Sequence, residues 1–146
     1  MTVAICSGYF QRFHEGHKRY IKNAIQRSDR VIVIVNNDRQ QRTKYKGFEN
    51  IRTSAQIAEE IREAFPAVQT VEAIDKDGSV CETLAKIYSQ KATGDILLFC
   101  KDADRNLGNI PEAETLVALG INLLQFQNKK ENSSSEIMRE EANDKV

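Results

Sequence analysis

The sequence predicts an α/β fold: a Rossmann-like, three-layer α/β/α domain with a five-stranded parallel sheet. Short apolar runs alternate with helical patterns along the whole chain, which is typical of parallel strands joined by right-handed crossovers. The strongest apolar run, Arg30–Val35 (RVIVIV), contains five consecutive β-branched residues, as expected for a strand buried on both faces. The length of 146 residues suits one domain, so we predict a single domain over residues 1–146.

The predicted elements follow in regular order. Apolar runs predict strands at residues 2–6, 30–35, 69–74, 95–100 and 121–126, and amphipathic patterns predict helices at 16–28, 51–65, 80–88 and 111–119. Gly120 is expected to end the fourth helix. Ser79 is the expected N-cap of the third helix, because Glu82 follows three residues later. Residues 129–146 are predicted to form a C-terminal helix, beginning near Ser133, and a frayed tail.

A polar and basic segment, residues 36–50 (NNDRQQRTKYKGFEN), directly follows the strongest strand and is predicted to be a loop. Loops at the carboxyl ends of parallel strands line ligand sites. Eleven of the 21 lysines and arginines lie between residues 12 and 52, against four acidic residues in the same span. This excess fits two interpretations: solvated helix faces with a polar loop, or a basic field around a phosphorylated ligand.

Composition argues against several classes of function. The formal net charge is zero, so no overall field favours nucleic acid or an anionic membrane. No apolar stretch approaches 18 residues and no secretory signal pattern opens the chain, so we expect a cytoplasmic protein with no membrane partner. The three cysteines are too scattered for a disulfide framework or a zinc site, and Cys6 and Cys100 are expected to be buried.

The segment at residues 7–17 (SGYFQRFHEGH) is the strongest candidate for a site. It joins the first strand to the first helix, with Gly8 at the strand end and His14 and His17 at the helix start. Backbone N–H groups and the helix dipole favour phosphate at such a turn, and Gly16 would allow a phosphate close to the backbone. Metal ligation and acid–base catalysis are alternatives, but the chain has only two histidines and zinc needs further ligands. Histidines that only cap the helix are the structural alternative.

This segment resembles the signature of the cytidylyltransferase-like nucleotidyltransferases, in which a strand is followed by Gly-x-Phe-Asp and then by His-x-Gly-His. The matching residues are Gly8, Phe10, His14, Gly16 and His17. Further blocks resemble small single-domain members related to glycerol-3-phosphate cytidylyltransferase and to the heptose-phosphate adenylyltransferases; in order they are residues 36–38 (NND), 75–84 (DKDGSVCETL), 104–105 (DR), 109–112 (NIPE) and 133–135 (SSS). The resemblance therefore spans almost the whole chain.

The resemblance implies transfer of CMP or AMP from CTP or ATP to a phosphorylated small molecule, with release of pyrophosphate. The acceptor would be a glycerol phosphate or a sugar phosphate, such as a precursor of lipopolysaccharide or another cell-surface sugar. Mg²⁺ would bind with the nucleoside triphosphate, no protein residue is predicted as a metal ligand, and a homodimer is the common assembly of relatives.

The resemblance also implies roles for individual residues. His14 and His17 would donate hydrogen bonds to the triphosphate, with Lys46, or else Lys44, reaching the phosphates from the segment after the second strand. Arg12 and Arg52 would meet the acceptor phosphate. The remaining positions expected to bind the nucleotide are Gly8, Tyr9, Phe10 and Gly16 in the turn, Asp104 and Arg105 over the nucleotide, and Ser133 and Ser134 at a helix start.

Three positions depart from the family pattern. Gln11 stands where the signature has aspartate, Asp102-Ala103 stands where relatives have Gly-Gly, and Asn128 stands where many have arginine. These changes motivate an alternative function, a nucleotide-binding regulatory protein with reduced or no turnover. A nucleic-acid binder that uses the basic first third ranks lower, because that span lacks interleaved aromatic platforms.

Overall fold

The computed structural model describes residues 1–102 and 110–126. Within these ranges the chain forms five strands and five helices. In chain order they are β1 (Thr2–Gly8), α1 (Glu15–Gln26), β2 (Arg30–Val35), α2 (Asp38–Lys44), α3 (Ser54–Ala64), β3 (Gln69–Glu72), α4 (Cys81–Gln90), β4 (Ile96–Lys101), α5 (Ala113–Leu119) and β5 (Asn122–Gln125). The C-terminal helix predicted near Ser133 lies outside the described residues.

All strand pairs are parallel, and the order across the sheet is β3-β2-β1-β4-β5. This confirms the predicted α/β class and the five-stranded parallel sheet. Strand β1 is central: its Ile5 lies opposite Ile32 of β2 on one side and Phe99 of β4 on the other. The chain builds one half of the sheet through β3 and then returns to the other side of β1 as β4. The carboxyl ends of β1 and β4 therefore flank the switch point, where such sheets bind ligands.

Alternating side chains of the strands build two apolar cores, one on each face of the sheet. On one face, Cys6 and Val33 pack with residues of α1 and α3 such as Ile21 and Ile57. On the other, residues such as Ile5 pack with α4 and α5. The two cores confirm the predicted three layers. None of the helices in the described part of the chain is both long and apolar enough to span a bilayer.

Residues 36–50 were predicted to be a loop, and that prediction is wrong for their first half, which forms helix α2. Asn37 caps this helix: its side chain accepts from the N–H of Gln40 at 2.9 Å, and the Gln40 side chain accepts in return from the N–H of Asn37 at 2.9 Å. This reciprocal capping box stabilises a short helix in a polar sequence. The helix carries its basic residues at a defined position beside the switch point.

The predicted N-cap at Ser79 is also wrong, because the start of α4 is held by a residue further back. The buried carboxylate of Asp75 accepts from the N–H groups of Glu82 and Thr83, at 2.7 and 3.1 Å, and from the Thr83 hydroxyl at 2.5 Å. The Ser79 hydroxyl donates to Asp77 at 2.6 Å and accepts from the N–H of Cys81 at 3.3 Å, but the N-cap position itself is Val80. Long-range folding therefore brings Asp75 to the helix start. Gly120, in contrast, ends α5 in the left-handed conformation as predicted, with φ of 71°.

Replacing Asp75 by alanine is expected to destabilise the fold by about 3 kcal/mol, because two N–H groups and a hydroxyl lose their acceptor in the interior. The matched control is Asp77→Ala, two residues away in an exposed part of the same turn, which should change stability much less. Urea unfolding of both variants measures the difference. Equal midpoints for the two variants would show that Asp75 does not hold the helix.

Candidate functional site

The turn after β1 lies at the switch point and has a shape that depends on one glycine. A Cβ atom on Gly8 would approach the Phe10 ring to 3.1 Å, a tight contact that would require this buried ring to shift. Phe10 is 3% exposed, has φ of 54°, and stacks on Tyr20. Gly8 and Phe10 therefore act together as a structural pair that sets the path of the turn, and Phe10 presents almost no surface to a ligand.

His14 and His17 form a reciprocal capping box at the start of α1. The Nδ1 atom of His14 accepts from the N–H of Gly16 at 3.1 Å, and the Nδ1 atom of His17 accepts from the N–H of His14 at 3.3 Å. The interpretation that the histidines cap the helix is therefore correct for the Nδ1 atom of each ring. A neutral histidine whose Nδ1 accepts carries its proton on Nε2. Each ring thus carries an Nε2–H group, which is a different atom from the nitrogen that caps the helix.

The two imidazole rings stack with their centroids 3.7 Å apart, in surroundings that disfavour a positive charge. Burial, the neighbouring His14 and then Lys44 lower the pKa of His17 from 6.5 to about 3. The partial positive charge at a helix N-terminus acts in the same direction. His17 is therefore a neutral hydrogen-bond donor at physiological pH, as anion binding by Nε2–H requires.

The lowered pKa of His17 predicts a specific loss of stability in acid. The unfolded chain takes up a proton near pH 6.5 and the folded state near pH 3, so folding stability falls as the pH drops through this interval. The expected loss is on the order of a few kcal/mol. Denaturant unfolding at pH 7 and pH 4 should show a steeper decline in the wild type than in His17→Gln, which has no titrating ring. Parallel declines would contradict the assignment.

Lys44, the last residue of α2, is brought to this site. Its ammonium contributes to lowering the pKa of His17, after burial and His14. Its Nζ also lies 4.1 Å from the ring centroid of Tyr9, and Tyr9 meets Tyr45 edge to face at 6.0 Å. Lys44 and Lys46 are both exposed, and Lys46 lies beyond the helix end. Of the two lysines, Lys44 is the one that lies against Tyr9, whereas the phosphate contact predicted for Lys46 stays a prediction.

Gln11 does not face the site as a replacement for a catalytic carboxylate. Its side chain is fully buried and bonds to Gln41 in α2 and to both backbone polar groups of Arg52. The Arg52 side chain pairs with Glu60, with 2.8 Å between Nε and Oε1. Sequence analysis missed Gln41 because a glutamine in a polar helix carries no signal of burial.

The other half of the switch point is the end of β4. Its last residue, Lys101, is 6% exposed, with Nζ 5.1 Å from the ring centroid of Phe99. This buried lysine was missed, although a basic residue directly after an apolar strand was the available signal. The predicted site residues Asp104, Arg105, Ser133 and Ser134, together with Ala103 and Asn128, lie outside the described residues.

The described side chains of this site are hydrogen-bond donors and cations. Two Nε2–H donors, a nearby ammonium and the first turn of α1 converge at the switch point, and they suit an anion with several oxygens, such as a phosphate chain. In residues 1–102 and 110–126, no three His, Cys, Asp or Glu side chains form a group that could hold a metal ion. Fold and site together define a Rossmann-like α/β protein whose first turn is a candidate anion site.

Comparison with known families identifies this class more closely. The model of the cytidylyltransferase-like family matches residues 5–140. The chain therefore belongs to the cytidylyltransferase-like family and is a nucleotidyltransferase, an enzyme type that uses nucleoside triphosphates. No curated protein matches the chain in sequence.

Solved structures show the same fold at low sequence identity. A bifunctional NMN adenylyltransferase/ADP-ribose pyrophosphatase from Francisella tularensis is 15% identical with a TM-score of 0.71; the match covers 98% of this chain but 42% of that protein. A lipopolysaccharide core biosynthesis protein from Thermoplasma volcanium GSS1 is 16% identical (TM-score 0.65), with 89% of this chain and 99% of that one covered. A protein described as a nicotinate-nucleotide adenylyltransferase from Vibrio parahaemolyticus is 13% identical (TM-score 0.59), with coverage of 98% and 88%.

Proposed function

We propose that the chain transfers CMP or AMP from CTP or ATP to a phosphorylated small molecule, a glycerol phosphate or a sugar phosphate, and releases pyrophosphate. The observation that carries this proposal is the stacked histidine pair at the start of α1, in which the lowered pKa of His17 keeps that ring neutral. Capping bonds hold both Nδ1 atoms and leave each ring as an Nε2–H donor at the switch point. That arrangement suits the triphosphate of a nucleotide better than a metal ion or a proton relay.

In the proposed reaction an oxygen of the acceptor phosphate attacks the α-phosphorus in line. A new P–O bond forms while the bond from the α-phosphorus to the bridging oxygen breaks, and pyrophosphate leaves with the electron pair. Negative charge grows on the leaving group. His14, His17 and Lys44 stabilise that charge with two hydrogen bonds and an ammonium, and the positive end of the α1 dipole acts in the same direction. No covalent enzyme intermediate is required.

Mg²⁺ is proposed to bind together with the triphosphate. The donor set described above consists of N–H groups and an ammonium, which fits phosphate oxygens that themselves carry the ion, as Mg²⁺ commonly binds in nucleotide sites. When bound, the ion neutralises phosphate charge. His14, His17 and Lys44 would then orient the phosphates, and we assign no metal ligand to the described residues.

The remaining assignments concern the acceptor and the base. Arg12 and Arg52 are proposed to meet the acceptor phosphate. Asp104 and Arg105 are proposed to cover the nucleotide, and Ser133 and Ser134 to contact phosphate. The similarity in fold to the lipopolysaccharide core biosynthesis protein from Thermoplasma volcanium supports a sugar phosphate of cell-surface synthesis as one acceptor. We further propose a cytoplasmic homodimer.

Pyrophosphate release tests the proposal directly. ATP, CTP, GTP and UTP with Mg²⁺ are combined with glycerol 3-phosphate, heptose 1-phosphate, other sugar phosphates and nicotinamide mononucleotide. Release is expected for ATP or CTP with one of these acceptors, and the same nucleotide should raise the melting temperature in proportion to its occupancy. Nucleotide binding without release in every combination would favour the regulatory alternative. If the protein neither binds any of these nucleotides nor releases pyrophosphate, the proposal is overturned.

A further inference from the structure

Two fully buried glutamines lie behind the candidate site. Gln11, in the turn after β1, and Gln41, in the middle of α2, are each 0% exposed. Burying a primary amide is unfavourable unless its hydrogen-bonding groups find partners. We call Gln11 and Gln41 the amide pair.

The amide pair uses every side-chain hydrogen that it carries. Gln11 Nε2 donates to Gln41 Oε1 at 3.0 Å and to the Arg52 carbonyl at 2.7 Å, while its Oε1 accepts from the Arg52 N–H at 2.9 Å. Gln41 Nε2 donates to the carbonyls of Tyr9 and Asn36, at 2.9 and 3.1 Å. Rotating either amide by 180° would set donors against donors or acceptors against acceptors, so the network has one arrangement.

The amide pair joins three segments that are distant in sequence. Through the Tyr9 carbonyl it holds the turn that leads to the histidines. Through Gln41 it holds α2, which carries Lys44 one turn later. Through both backbone groups of Arg52 it holds the segment before α3. Lys44 Nζ lies 4.1 Å from the ring centroid of Tyr9, whose carbonyl Gln41 binds, so the hold on α2 also sets the place of this ammonium against the turn.

We propose that the amide pair is a positioning device that sets Lys44 and the Arg52 segment against the histidine turn, and so determines how tightly the phosphates are bound. This inference rests on the proposed function, since it assumes that phosphates occupy the turn. An aspartate at position 11 could not do this, because its side chain is shorter and its carboxylate donates no hydrogen bond. The residue that departs from the family signature therefore has its own task in this chain.

The test compares the wild type with Gln11→Glu, which keeps the side-chain shape but removes both donors, and with Gln41→Met, which removes the partner at similar volume. Ile32→Val, in the apolar core on the other face of the sheet, is the matched control for a modest loss of stability. Calorimetry with MgATP and MgCTP gives the dissociation constants, pyrophosphate release gives KM and kcat, and hydrogen exchange reports protection of the Arg52 amide.

Gln11→Glu is expected to lose protection at the Arg52 amide and to bind the preferred nucleotide roughly tenfold more weakly, the scale of one well-placed hydrogen bond. Gln41→Met should weaken binding similarly, and Ile32→Val should keep wild-type affinity. Unchanged affinity and KM in a Gln11→Glu protein that has lost Arg52 protection would overturn this inference and leave the proposed function standing. If the wild-type protein binds none of the nucleotides, both this inference and the proposed function are contradicted.

Discussion

Replacing His17 by glutamine is expected to lower pyrophosphate release by roughly 10²–10³, the scale on which enzymes lose activity with one preorganised donor. Glutamine at this third helical position can still reach back to the N–H of residue 14, so the capping box survives. His14→Asn is the companion variant, because asparagine is a favourable N-cap. Both substitutions remove the imidazole N–H at its fixed position in the stacked pair and retain the capping role of the ring, while the amide N–H groups that they introduce belong to a side chain of different shape.

The measurement is the rate of pyrophosphate release, with urea unfolding of the same preparations at neutral pH. If His14→Asn and His17→Gln keep a stability close to wild type but lose much of the rate, the Nε2 atoms are assigned to the phosphates. His14→Ala and His17→Ala should lose rate to a similar extent but also lose stability, by about 1 kcal/mol for each missing cap. Near-normal rates in both His14→Asn and His17→Gln would contradict the donor role.

Replacing Lys44 by methionine is expected to reduce turnover by roughly 10²-fold, because the ammonium near His17 would no longer neutralise charge on the phosphates. Methionine preserves the length and apolar stem that lie against Tyr9. Lys46→Met is the matched control, since it removes the same charge two residues further along, at an exposed position. It should reduce turnover much less.

Salt provides a second measure of the same assignment. The ratio of the rates of wild type and Lys44→Met should fall as ionic strength rises, because added ions screen the ammonium. A larger effect of Lys46→Met than of Lys44→Met would return the phosphate contact to Lys46. If both variants reduce turnover only slightly and to the same extent, the segment at residues 36–50 does not contribute to the phosphate site.

Much of the architecture was predictable because its signals are local. The run Arg30–Val35 contains five consecutive β-branched residues and became a strand with those bounds. Gly120 is the residue that tolerates the left-handed end of α5. The spacing of His14 and His17 located the start of α1. Signals of this kind need only the neighbouring residues, so the sequence alone reveals them.

The errors arose where distant residues compete with local ones. Ser79 is a good N-cap by sequence, but Asp75 folds back and offers a carboxylate with more partners. Residues 38–44 look like a polar loop because they show no apolar pattern. The helix that they form is stabilised by the Asn37–Gln40 capping box and by the burial of Gln41, which are both polar features. Lys44 and Lys46 are the same residue type in the same basic segment, and only the position of α2 gives them different surroundings.

The sequence by itself determined the class of fold and the turn that carries the site, because alternating apolar runs and a glycine–histidine spacing encode both within a few residues. The tertiary structure decided how the site works. It put two imidazoles 3.7 Å apart in surroundings that keep His17 neutral, brought Lys44 beside them, and buried Gln11 as a link to Gln41 and Arg52. Charge state and relative position depend on desolvation and on partners up to 41 residues away, which no local pattern records.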